Sequence, residues 1–208
     1  MHPNVTKDRC LAGGETCCLS TKVSGYFTPG TFQQYCVTSA TYATPIPDTV
    51  TDLAGAAPLM CGGISVYAAL KRAKVQPGDW VLISGAGGGL GHLAVQYGKA
   101  FGVRVLALDV GSKEAFCKSL GAEEFIDFTK YKTDEELKKE VHRVTRGGAR
   151  TALMCASSEK AYAQAIGWLG FRGTLVCLGV PEGKKSPIAG AVVEDMIGLE
   201  LSIFGESR

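Results

Sequence analysis

Residues 80–110 read WVLISGAGGGLGHLAVQYGKAFGVRVLALDV. An unbroken apolar run of strand length, WVLIS, passes into glycines. A stretch of helical length follows, then a second aliphatic run that ends in Asp109. That order has a specific physical use. A tight turn lets a helix start directly on its strand, and the side-chain-free backbone can approach a pyrophosphate. The helix N-terminus then offers free N–H groups and the positive end of its dipole. The residues in register are Ala86, Gly88 and Gly91, an A-x-G-x-x-G pattern with Gly87, Gly89 and Leu90 between them. A glycine turn alone serves helix–sheet packing equally well. Asp109, 18 residues beyond Gly91 and at the end of the second strand, is what points to a dinucleotide. A carboxylate there accepts hydrogen bonds from a ribose 2′-hydroxyl and repels a 2′-phosphate, which predicts NAD rather than NADP. Lys113 either reaches the same ribose or is a solvated lysine that opens a helix.

The same beat continues to the C-terminus. Apolar runs begin at Trp80, Val103, Glu124, Thr151, Thr174 and Leu201, 21 to 27 residues apart, the length of one strand, one helix and two short loops. Continuous rather than alternating apolar character fits a sheet covered on both faces, so the expected fold is α/β, a doubly wound parallel sheet. Gly102 and Gly121 mark helix ends at Leu90–Phe101 and Lys113–Leu120. Thr133 and Glu136 form a capping box for a helix over Asp134–Thr145. The turn Leu178-Gly179-Val180 after the fifth run falls on the carboxyl edge of such a sheet, where a cofactor lies; Gly179 reads equally as a loop glycine.

Residues 1–60 differ. They are rich in threonine, tyrosine, proline and glycine, and predict irregular chain with one or two antiparallel strands. The expected division is 1–56 and 57–208.

The whole chain has 208 residues, including 27 glycines, nearly double the usual share of roughly 7%. A net charge of +2 argues against nucleic acid or an anionic membrane as partner. Leu53–Leu70 and Trp80–Gly98 lack charged residues, but glycines break both, so they read as buried elements rather than membrane spans. Eight cysteines without a signal segment predict a reducing, cytoplasmic setting and metal ligation rather than disulfides. Cys10 and Cys18 on one loop are half of a tetrahedral zinc site or a chance pair. Cys61, where a helix is expected to begin after Pro58, is a buried small hydrophobe or a metal ligand. Cys36 reads as strand packing; Cys117, Cys155 and Cys177 read as core.

Several strings together, SGYFTPGTFQQY (24–35), APLMCGGISVYAALK (57–71), SGAGGGLGHLAVQYGKAFGVRVLALD (84–109), LGAEEFIDFTK (120–130) and GTLVCLGVP (173–181), closely resemble zinc-containing alcohol dehydrogenases of the fungal (yeast) type. These belong to the medium-chain dehydrogenase/reductase superfamily. The resemblance implies a Rossmann domain with a partial remnant of a GroES-like catalytic domain, NAD and zinc as cofactors, and a small alcohol or aldehyde as substrate. It implies that Cys61 is a ligand of the catalytic zinc and that Cys10 and Cys18 are ligands of the structural zinc. Ala86 through Gly91, Asp109 and Lys113 correspond to the NAD turn and ribose site, and Leu178, Gly179 and Val180 to the loop beside the nicotinamide. It also implies a homo-oligomer formed through the edge strand LSIFG. Asn4 and Lys7 stand where the family has its other two structural-zinc cysteines. The first catalytic cysteine and the catalytic histidine have no counterpart. The resemblance therefore implies a chain truncated at both ends, with no catalytic residue of its own and little activity alone. Two other readings stay open: a non-catalytic NAD-binding or subunit-interaction module, and a zinc-independent quinone-type reductase.

Overall fold

The computed structural model describes residues 15–18, 22–40, 43–182 and 187–206. They divide into two compact units, one ending at Ala56 and the other beginning at Ala57.

The second unit is built on six parallel strands: β1 (Trp80–Ser84), β2 (Arg104–Asp109), β3 (Glu124–Asp127), β4 (Ala149–Met154), β5 (Leu169–Cys177) and β6 (Ser202–Gly205). Their order is β3-β2-β1-β4-β5-β6, and every pairing is parallel. The direction of winding reverses between β1 and β4, which creates a crevice at their carboxyl ends.

Alternate residues of each strand feed two cores. Val81 and Ile83 join one apolar cluster, with Val66, Leu70, Val95 and Cys117. Trp80 and Leu82 join the other, with Leu137, Val141, Tyr162 and Trp168. Helices α1 (Gly62–Arg72), α2 (Gly89–Ala100) and α3 (Glu114–Leu120) thus cover one face. Helices α4 (Asp134–Thr145), α5 (Glu159–Ala165) and α6 (Val193–Gly198) cover the other. Central β1 has all five residues buried, which is why its sequence is continuously apolar. At the edge, β6 has none fully buried. This is the doubly wound, Rossmann-type architecture that the six apolar runs predict.

Local chemistry ends the helices where expected. Gly102 and Gly121 follow α2 and α3 with φ of +76° and +113°. The capping box opens α4: Glu136 N–H donates to Thr133 Oγ1 (3.2 Å), and Thr133 N–H donates to Glu136 Oε2 (3.3 Å). Other boundaries move. Strands β4 and β5 start two and five residues earlier than the apolar runs. There the register shifts between Ala149 and Thr151, a bulge that hydrophobicity alone does not signal.

The region around Pro58 also differs from expectation. Pro58 lies inside a 3₁₀ turn, Ala57–Met60, and the helix proper begins after Cys61. Leu59, Met60, Ile64 and Tyr67 are exposed and no residue of Leu53–Met60 is buried, so the buried element expected over Leu53–Leu70 is confined to one face of its C-terminal helix. Among the described residues no single helix is long and apolar enough to cross a membrane; Leu53–Met60 and Gly62–Arg72 reach that length only when joined across a bend.

The first unit contains a helical turn, Leu53–Ala56, and an isolated bridge between Ser24 and Thr28. No strand occurs among its described residues. The expected antiparallel strands are therefore absent there, and Cys36 is exposed rather than packed in one.

Loss of the capping box should be measurable. Thr133→Ala is expected to lower unfolding free energy by about 1 kcal/mol, and Thr133→Ser should restore most of it. Urea denaturation would read this as a shifted midpoint at unchanged slope.

Candidate functional site

Strand β1 ends at Ser84 and the chain turns at once. Gly85 has φ of +72°, a left-handed conformation that a side chain disfavours, and its N–H donates to Leu108 O (2.9 Å). Gly88, in extended conformation, is the N-cap of α2 and supplies no side chain to cap it. No N-cap side chain therefore meets the first N–H groups of α2, the groups that helix geometry leaves without intrahelical partners. A Cβ on Gly91 would overlap the Gly85 carbonyl oxygen and lie 2.6 Å from Ala86 Cα. Gly89 faces open space. The turn thus needs glycine at 85 for conformation and at 91 for close approach. Gly85 is absent from the site expected by sequence; its signal was its place as the first glycine after the strand.

Asp109 ends β2 and reaches the turn. Its Oδ2 accepts the Gly87 N–H (2.8 Å) and its Oδ1 accepts the Val110 N–H (2.7 Å). Charge-assisted bonds of this kind are among the stronger ones. Each carboxylate oxygen keeps a second acceptor direction. The stem of Lys113 lies beside Gly87, 2.9 Å from where a Cβ would be, and the residue is exposed. On the neighbouring strand Asp127 is in register with Asp109. Hydrogen bonds from Thr129 hold its carboxyl below the usual range. Cys117, packed beneath, has its thiol pushed up by burial and then by the charge of Asp109.

A cavity of about 310 Å³ opens beside Asp109, lined by Ser84, Gly85, Val110, Phe128, Tyr131 and Ala156 among others. At its rim Gln164 Nε2 donates to Asp134 Oδ1 (2.6 Å), with Lys160 Nζ 3.7 Å from the same oxygen.

On the other side of the crevice, Cys155 N–H donates to Ser84 O (3.0 Å) and Gly179 N–H donates to Met154 O (2.7 Å). Ala156 lies between the two glycine segments. A Cβ on Gly85 would sit 3.0 Å from its N, and a Cβ on Gly179 would sit 2.7 Å from its O. The carboxyl ends of β1, β4 and β5 are thus in direct contact. Within the 178–180 turn, Gly179 is buried, Leu178 is half-buried and Val180 is exposed.

Cys61 is exposed, not buried, at the N-cap of α1. The adjoining Gly62 lies against Leu90 and Leu93, with a Cβ there 3.4–3.5 Å from them. This brings the thiol-bearing end of α1 to the start of α2, on the same edge as the turn. Cys18 is half-buried in the first unit, and Cys10 lies outside the described residues. Among the described residues no group of three or more His, Cys, Asp or Glu side chains is placed to hold a metal ion. His92 Nδ1 is 2.9 Å from Gly88 O, and His142 Nε2 is 2.8 Å from Gly167 O.

Sequence and fold are both similar to those of known proteins. Residues 89–208 match the zinc-binding dehydrogenase family. The chain is 50% identical over 188 residues to alcohol dehydrogenase 2 of Emericella nidulans, covering 88% of this chain and 51% of that protein. An alcohol dehydrogenase of Schizosaccharomyces pombe is 48% identical over 85% of this chain and 49% of its own length. Among solved structures, the alcohol dehydrogenase of the archaeon Aeropyrum pernix superposes with a TM-score of 0.80 at 29% identity, over 96% of this chain and 57% of that one. The chain spans about half the length of the curated relatives it matches.

The turn makes opposite demands at two glycines two residues apart. Gly91→Ala is expected to destabilise the fold by about 1–3 kcal/mol through overpacking. Gly89→Ala should leave folding stability within about 0.5 kcal/mol. Thermal and urea unfolding of the two variants would separate them.

Proposed function

Because this chain belongs to the zinc-binding dehydrogenase family, we propose that its second unit binds NAD along the carboxyl edge of the sheet, in the service of reversible alcohol oxidation. The observation that carries the reading is the joint placement of Gly91 on the Gly85 carbonyl and of the Asp109 carboxylate on the Gly87 N–H. Together they hold a bare backbone, a helix N-terminus and an acid at one point of the crevice.

In this reading Ala86 through Gly91 line the pyrophosphate, with the first N–H groups of α2 as donors. Asp109 accepts a ribose hydroxyl through its remaining lone pairs, and its negative charge disfavours a 2′-phosphate. Lys113 borders the same ribose. The cavity beside Asp109 takes the adenine. The sheet order β2-β1-β4-β5 then carries the other half of the dinucleotide towards Leu178, Gly179 and Val180. When bound, NAD supplies the hydride acceptor for a small alcohol, or NADH the donor for an aldehyde or ketone. The chain's own residues bind, orient and enclose it.

The donors among the described residues do not make up a zinc site. Catalytic zinc needs three protein ligands and an open position, and structural zinc needs four. Cys61 is one ligand candidate, set on the correct edge, so the zinc chemistry of the family has no complete seat among the described residues. The charge balance supports a small-molecule partner rather than nucleic acid. The cysteine content supports a reducing, cytoplasmic compartment. The open edge of β6 supports pairing with a second copy.

Titration of the chain with NADH and NADPH, read by nicotinamide fluorescence, tests the cofactor. NADH is expected to bind at least tenfold more tightly, and Asp109→Ala should weaken NADH and narrow that preference several-fold. Equal affinity for the two cofactors in the unaltered chain overturns the role of Asp109. Ethanol-dependent NADH formation by the purified chain is expected to stay near background, because the described residues offer one candidate ligand, Cys61, for a catalytic zinc. Steady turnover would show that a full zinc site assembles.

A further inference from the structure

Tyr162 is a core residue whose hydroxyl has a definite task. It projects from α5 and is 6% exposed. Its hydroxyl donates to the Gly179 carbonyl oxygen at 2.7 Å. Burial raises its pKa, with the neighbouring Cys177 and Cys155 thiols adding to the shift. The phenol therefore remains a proton donor throughout the physiological range.

The bonded carbonyl lies in the turn that follows β5. That turn is held from two sides. Gly179 N–H donates back to Met154 O at the end of β4 (2.7 Å). Its Cα is pressed against the backbone of Cys155 and Ala156, where a Cβ would sit 2.9 and 2.7 Å from their carbonyl oxygens. The same Ala156 touches Gly85, the first glycine of the phosphate turn. Two residues on, Ser158 Oγ caps α5 by accepting the Ala161 N–H (3.3 Å). The segment from Ala156 through α5 therefore leaves the phosphate turn, forms one short helix, and returns a hydroxyl to the 178–180 turn.

We propose that Tyr162 is a positioning residue for the nicotinamide half of the cofactor, acting by fixing the carbonyl of Gly179 and with it the 178–180 turn. The inference rests on the cofactor reading above. It follows from the direction in which a dinucleotide must run. With its adenosine at Asp109 and its pyrophosphate on the start of α2, the remaining nucleoside passes to the β4–β5 side, where this turn is the exposed rim. The turn has Val180 exposed at its tip and is closed beneath by Gly179. Phenylalanine would fill the same ring volume but leave the Gly179 carbonyl without its donor, and a buried acceptor without a partner shifts towards water.

The test compares two ligands on the full chain, NADH and ADP-ribose, which lacks only the nicotinamide. Tyr162→Phe is expected to weaken NADH about fivefold, the magnitude of one buried hydrogen bond. ADP-ribose affinity should change by less than about twofold. A purely structural role would lower both affinities together. Equal loss for the two ligands, or no loss for either, overturns the proposal. Gly179→Ala displaces the same turn by meeting Ala156, so it should give the same split should Tyr162→Phe fail to fold. Failure of the unaltered chain to bind either ligand overturns the cofactor reading itself, and this inference with it. Binding of both ligands by the unaltered chain with no split in either variant overturns only the role of Tyr162.

Discussion

The start of α2 rests on the end of β1, with no room for a side chain at the contact. Gly91 meets the Gly85 carbonyl there, and Gly85 itself adopts a left-handed conformation to make the turn. Much of the second unit depends on this approach. It lets Ala94 and Val95 of α2 enter the same core as Val81 and Ile83 of β1. It also leaves the uncapped N–H groups of the helix at the point where the winding of the sheet reverses. The contact therefore has a packing consequence and an electrostatic one, and both come from the absence of a Cβ.

Asp109 joins these consequences. A carboxylate at the end of a central strand is costly to bury unless it is bonded. Here the N–H groups of Gly87 and Val110 meet that need. The same bonds tie the tip of the turn to β2. The proposed ribose contact and the stiffness of the glycine turn thus rest on one side chain. Ala156 plays a comparable part on the opposite side of the crevice, as the backbone wedge between Gly85 and Gly179.

Much of this was legible in the residues. Continuous apolar runs at regular spacing follow from a sheet buried on both faces, and all six strands lie at those runs. Helix ends were readable wherever a local device marks them, as at Gly102, Gly121 and the Thr133–Glu136 box. Boundaries set by neighbours were not. The early start of β5 depends on a bulge against β4, and the half-exposed stretch around Cys61 depends on what covers it. The tendency of threonine and tyrosine to form strands was no guide in the first unit, because a strand requires a partner as well as propensity.

In the candidate site, the glycines, Asp109 and the 178–180 turn are local in sequence or marked by strand ends, so the sequence alone determined their place at the carboxyl edge of the sheet. Tertiary structure decided what each one contacts. Which glycine is indispensable depends on the atom opposite it, the Gly85 carbonyl for Gly91 and open space for Gly89. Tyr162 carries no motif and lies 17 residues from Gly179. Its hydroxyl has meaning only because the β4–α5–β5 crossover folds it back onto that carbonyl. Composition and spacing record which groups are available, but hydrogen bonds and close contacts are distances in space, and those exist only once the chain has folded.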